Sequence, residues 1–160
     1  MKKKDKSTYE ELLDFVEEEG VEVIDFSLPG SRLKGLYCDG TIGLSKNLQT
    51  TAEKASILAE ELGHYKTSAG NIIDQSNPAN IKQEYRARAW GYDKSVGLRG
   101  IVNCYLAHCH SLYEMAECLN VTESYLIDVL AYYHGKYGSQ VTYKDYVIYF
   151  EPTLGVLELK

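Results

Sequence analysis

Between Thr8 and Glu19 the apolar residues Tyr9, Leu12, Leu13, Phe15 and Val16 recur at helical spacing, with Ser7 or Thr8 placed to cap the start and Gly20 to stop the end. The pattern predicts a first helix. It then changes period: "VEVIDFSL" carries Val21, Val23 and Phe26 in strand fashion ahead of Pro29-Gly30. "RLKGLYCDGTIGLS" reads as two strands joined by Asp39-Gly40, a favoured tight-turn dipeptide. Helical spacing returns with Ile57, Leu58, Ala59 and Leu62, behind Thr50 or Thr51 as a cap and Glu53 and Lys54 in the first turns. That helix is predicted to reach Lys66 and to close near Gly70. "DQSNPAN" reads as a loop, residues 81–96 as a helix rich in Arg and Ala that carries Trp90, and residues 98–136 as two or three further helices. The tail "VTYKDYVIYFEPTLGVLEL" is strand-like, with Val141, Tyr143, Tyr146, Ile148 and Phe150 in a mixed alternation. This order predicts an α+β fold, helices on one side of a small antiparallel sheet.

Length and composition narrow the picture. At 160 residues, 44% of them apolar, the chain fits one domain spanning 1–160, and it shows no repeat, low-complexity segment or linker. A net charge of -6 with a pI near 5.2 excludes a general nucleic-acid or membrane-surface binder, since both need a basic face. The basic "MKKKDK" start reads as a solvated terminus. No apolar run approaches the roughly 18 residues of a membrane span, and no hydrophobic signal core follows the first lysines. A cytoplasmic protein with no membrane partner is therefore expected. The cysteines Cys38, Cys104, Cys109 and Cys118 contain no C-x-x-C pair and are predicted to be free thiols.

The chemistry concentrates in "ILAEELGHYK". On a helix Glu60 and His64, four apart, point the same way and can share one ion. Glu61 is turned about 100° from Glu60, which puts its carboxylate beside such an ion and not on it. This is the frame of the H-E-x-x-H zinc-peptidase helix with a glutamate in the first histidine's place. Gly63 adds a hint, because a glycine inside a helix costs about 1 kcal/mol unless something must approach closely. The competing reading is an amphipathic helix with a solvated acidic pair and a histidine that suits the negative end of the helix dipole.

The run "AEKASILAEELGHYKTSAGNIIDQ" followed by "KQEYRARAWGYDKSVG" closely resembles the ImmA/IrrE family of metallopeptidases, above all its phage and prophage members. In that family an A-x-E-L-G-H helix precedes a second helix of the form E-x-x-A-x-x-(F/W)-A, which here reads Glu84-x-x-Ala87-x-x-Trp90-Gly91. The resemblance extends to "KGLYCDGTIGLS" and "LNVTESYLIDVLAYYHGKYG", and so covers most of the chain. It implies a zincin-like metallopeptidase domain with His64 and Glu84 as metal ligands and Glu61 as the general base that activates a water. Glu60 stands where the commoner family pattern has a histidine, which makes it the remaining ligand. Zn2+ is the implied cofactor. Two carboxylates, Glu60 and Glu84, neutralise a divalent ion, so the centre would be a weaker Lewis acid and more tolerant of Mn2+ or Fe2+. The implied function is a metal-dependent endopeptidase that cleaves a helix-turn-helix repressor of a phage or mobile element in the cytoplasm of a bacterial host. The alternative is a non-hydrolytic protein-binding module that sequesters a repressor or other regulator. Glu61 separates the two, because a pure binder has no chemical need of it.

Other constellations carry less. Glu61-x-x-His64 is half of a di-iron motif, and the chain has no second Glu-x-x-His. "CYLAHCHSLYEMAEC" holds Cys104, His108, Cys109, His110 and Cys118, but a structural zinc site draws paired ligands from two segments. These residues read as small buried thiols and partly exposed histidines on a core helix, and His134 as structural. Within 97–137, "LYEMAECLNVTESYLIDVL" resembles a helix-turn-helix, with Ala116 packed inside, Asn120 in the turn and Thr122 capping the second helix. That second helix, "ESYLIDVL", carries Glu123 and Asp128 and no Lys or Arg, so DNA phosphates would repel it. A C-terminal helical hairpin that packs on the catalytic unit or grips a protein partner is expected instead.

Overall fold

The computed structural model describes residues 6–67 and 78–160. They fall into two compact units, Met1–Ser95 and Val96–Lys160. Both mix helix and strand, so the α+β class holds. Among the described residues no helix is long and apolar enough to cross a membrane.

The first unit opens with α1 (Thr8–Glu19), whose ends are fixed by local chemistry. Ser7 accepts from the Glu10 N–H while the Glu10 carboxylate accepts from the Ser7 N–H, a reciprocal capping box, and Gly20 closes the helix in the left-handed region. Three strands follow: β1 (Glu22–Phe26), β2 (Gly35–Cys38) and β3 (Thr41–Ser45). Asp39 and Gly40 both take positive φ (45° and 78°), which is what a two-residue hairpin between β2 and β3 requires. The strand order is β1-β3-β2, with β2 antiparallel to β3 and β1 parallel to it. The expected antiparallel sheet is thus a mixed one. The turn dipeptide specifies the β2–β3 pairing locally, whereas nothing next to β1 in sequence names its partner.

Against this sheet lies α2 (Thr51–Thr67), capped by Thr50, whose hydroxyl accepts from the Glu53 N–H. It packs on α1, β2, β3 and α3 (Pro78–Ser95) through Ala55, Leu58, Ala59 and Leu62, all fully buried. The spacing of that stripe is helical, as its sequence period requires. The described part of α3 begins at Pro78, inside the segment expected to be a loop; proline suits a first helical turn because its missing N–H has no partner there anyway. The expected close of the preceding helix near Gly70, the first four residues of "DQSNPAN" and most of "MKKKDK" lie outside the described residues.

The second unit contains α4 (Gly97–Leu106), α5 (Leu112–Leu119) and α6 (Glu123–Tyr137), then β4 (Gln140–Tyr143), β5 (Tyr146–Tyr149) and β6 (Gly155–Glu158). Within 97–137, a short turn joins α5 to α6. Ala116 is 3% exposed, Asn120 sits in the left-handed region at the end of α5, and the Thr122 hydroxyl accepts from the Tyr125 N–H. The tail is an antiparallel meander, β4-β5-β6, which is a sheet of its own. The core of this second unit includes Ile101 of α4, Leu126, Val129 and Tyr133 of α6, and Ile148 of β5.

Candidate metal centre

Two glycines decide how α2 and α3 meet. A Cβ on Gly63 would lie 2.0 Å from the Ala87 carbonyl oxygen, and one on Gly91 would lie 2.7 Å from the Ala59 carbonyl oxygen. Gly63 is four residues after Ala59, and Ala87 four before Gly91, so the helices run antiparallel with their backbones in direct contact. The close approach anticipated at Gly63 is therefore to a neighbouring helix. Gly63→Ala is expected to destabilise the protein by about 3 kcal/mol or more, because both colliding atoms belong to backbone and cannot turn aside. A chemical denaturation midpoint equal to that of the wild type would contradict this packing.

The crossing also aims the site. Glu84, Ala87 and Gly91 share one face of α3 at i, i+3 and i+7, so the face that touches α2 delivers the Glu84 carboxylate to it. On α2, Glu60 and His64 sit one turn apart at the edge of the buried stripe. The result is that Glu60, His64 and Glu84 each offer a donor atom within 4.8 Å of the others. His64 Nε2 lies 3.4 Å from Glu84 Oε2. His64 Nδ1 is buried and has no hydrogen-bond partner among the described residues. Arg88, one turn after Glu84, donates through Nε to Glu84 Oε1 at 3.1 Å, leaving the other carboxylate oxygen turned to the imidazole.

Glu61 takes a different place. Its carboxylate lies under the start of β2, where a Cβ on Gly35 would meet Glu61 Oε1 at 2.8 Å, and it accepts a hydrogen bond from the Tyr37 N–H. The Ser45 N–H donates to the Lys34 carbonyl, so in the alternating antiparallel ladder Gly35 and Tyr37 turn their backbone groups away from β3. In this sheet β2 is an edge strand. Burial, then the Glu60 and Glu84 charges, push the Glu61 carboxyl up to about 8, against the lowering effect of the Tyr37 N–H.

The residues fit a divalent cation. Glu60 and Glu84 against the single Arg88 leave the cluster with surplus negative charge, and the His64 imidazole turns Nε2 to Glu84. One imidazole and two carboxylates are a donor set that zinc accepts and harder ions tolerate. Around the centre, Tyr65 and Lys66 both donate to Glu19 Oε2 at 3.0 and 2.9 Å, tying the end of α2 to α1. Trp90 packs on Phe15 with ring centroids 5.5 Å apart, tying α3 to α1.

Sequence reading missed Arg88, Gly35 and the Tyr37 N–H. The i, i+4 spacing of Glu84 and Arg88 was a usable signal for the first. Nothing in sequence marks the other two, which depend on where β2 crosses α2. In comparisons with known proteins, no family model matches the chain, and neither a curated protein nor a solved structure matches it significantly.

Proposed function

We propose that the chain is a zincin-like, metal-dependent endopeptidase of the cytoplasm of a bacterial host, and that its substrate is a helix-turn-helix repressor of a phage or mobile element. The supporting observation is the convergence of Glu60 and His64 of α2 with Glu84 of α3 within 4.8 Å, with Glu61 of α2 near enough for the Glu60 and Glu84 charges to act on it. The choice of a repressor as substrate rests on the resemblance of the two linked helices to the ImmA/IrrE family.

A divalent ion held by Glu60, His64 and Glu84 would supply Lewis acidity to a peptide carbonyl and ease ionisation of the attacking water. Glu61 takes the proton of that water on its carboxylate and passes it to the leaving nitrogen. Neutralising Glu60 and Glu84 would remove the two charges that add to burial in raising the Glu61 pKa, so a filled centre would favour the ionised base. The Tyr37 N–H holds that carboxylate in place. With the Tyr37 N–H given to Glu61, the backbone groups of Gly35 and the Tyr37 carbonyl on the outward edge of β2 are what a substrate strand would pair with.

The test is incubation of the zinc-loaded protein with a repressor encoded beside its gene. Chelator-sensitive cleavage at one bond is expected. A repressor that binds tightly and stays intact would overturn the enzyme and leave the sequestering module.

Glu60→His probes the unusual ligand. One negative charge fewer at the centre lets the attacking water ionise at lower pH, so the pH optimum should fall by on the order of one unit while zinc binding tightens and manganese is disfavoured. Paired pH–rate profiles with metal content measure this. An unchanged profile and unchanged metal content would remove Glu60 from the ligand set.

A further inference from the structure

We propose that Cys104, Cys109 and Cys118 form a second metal site, a three-thiolate cradle for a thiophilic d10 cation of the zinc class. It lies wholly in the second unit and does not depend on the peptidase reading. The three sulfur atoms lie within 4.8 Å of one another, and none is in a disulfide. Around a tetrahedral zinc with Zn–S near 2.3 Å, sulfurs stand about 3.8 Å apart, so the cluster needs to contract by about 1 Å at most.

The backbone builds this cluster. At the end of α4 the Cys109 N–H donates to the Cys104 carbonyl and the His108 N–H to the Tyr105 carbonyl, with His108 in the left-handed region at φ 59°. That is a Schellman motif, which brings the side chains of its third-last helical position and of its second residue beyond the cap into contact. Those positions are normally apolar. Here they are Cys104 and Cys109. Both thiols lean on α5, Cys104 towards the Met115 carbonyl at 3.8 Å and Cys109 towards the Glu114 carbonyl at 3.6 Å. Cys118 lies one turn further along that helix. The donors thus come from two segments joined by a tight turn, the arrangement a structural site needs and the sequence did not display.

Access agrees with the geometry, and the thiol chemistry sets the pH dependence of binding. Cys104 is buried, Cys109 half-buried and Cys118 exposed, so one side of the cradle opens to solvent for entry and for a fourth ligand. Burial pushes the Cys104 thiol up, and the neighbouring Cys118 and Cys109 sulfurs push it further. On binding, each thiol releases its proton to solvent as its sulfur donates a lone pair to the ion, so affinity weakens as pH falls. Filled, the site would tie the end of α4 to the end of α5.

The test is titration of the full, reduced chain with Co2+, in the wild type and in His64→Ala, Cys109→Ser and Cys118→Ser. A thiolate-to-cobalt charge-transfer band that saturates by two equivalents in the wild type and at one equivalent in His64→Ala, and that is displaced by Zn2+, is expected. It should disappear in Cys109→Ser and Cys118→Ser, with affinity down by more than about 10-fold. These two carry the more exposed sulfurs, and circular dichroism checks that both variants fold. A thiolate band given by Cu+ and not by Co2+ would uphold the site as three-coordinate. Reduced, folded wild type with no thiolate band for Co2+, Cd2+ or Cu+, or a band that both serine variants keep, would overturn it.

Discussion

Glu61→Gln is expected to abolish cleavage while leaving the metal content of the protein nearly intact. The amide keeps the size and can still approach the Tyr37 backbone, but it cannot take a proton from water, and a positioned general base contributes on the order of 10²–10⁴-fold to rate. His64→Ala should lose cleavage together with the metal of this centre, since it removes the sole imidazole of the donor set. The contrast between the two variants separates chemistry from binding. Wild-type cleavage by Glu61→Gln would show that another group moves the proton.

A second large effect is expected in protein stripped of divalent ions. Glu61 has its pKa raised from 4.5 to about 8, first by burial and then by the Glu60 and Glu84 charges. A folded-state pKa above the unfolded one means that the folded protein holds the proton more tightly. Its contribution is fully present below pH 4.5 and is lost as pH rises through 8. The shift corresponds to on the order of 5 kcal/mol across that window. Stripped wild type should therefore lose stability steadily between these limits, and stripped Glu61→Gln, which has no proton to lose at this position, should not. Added zinc should stabilise the wild type more at pH 8 than at pH 5, where protons already do part of the ion's work. Denaturation of both proteins across this range measures it, and parallel stability curves would contradict the burial of Glu61 among like charges.

What could be read in the sequence was mostly what is encoded locally. Ser7 and Gly20 bound α1, Asp39-Gly40 turns the first hairpin, and Asn120 and Thr122 shape the α5–α6 junction, because each acts through atoms a few residues away. Pairings set at long range were not legible. The parallel alignment of β1 with β3 and the separation of the strands into two sheets depend on partners far along the chain. The same division runs through the site. Glu60 and His64 follow from one helical turn, but a position for Glu84 came only with the family resemblance, since it depends on how Gly63 and Gly91 let two helices touch. The cysteines show the cost of judging spacing alone: Cys104 and Cys109 are five apart, poor partners on a straight helix, and the left-handed turn at His108 makes them neighbours.

The most direct test of the peptidase centre is anomalous scattering from crystals grown with Zn2+. A peak is predicted about 2.0–2.2 Å from one atom each of Glu60, His64 and Glu84, with the Glu61 carboxylate beside it and not coordinating. A zinc peak at the three cysteines would be separate and would say nothing about this centre. No peak between α2 and α3 in zinc-saturated crystals, or a Glu84 carboxylate turned away from His64, would contradict the metal site and the enzyme built on it.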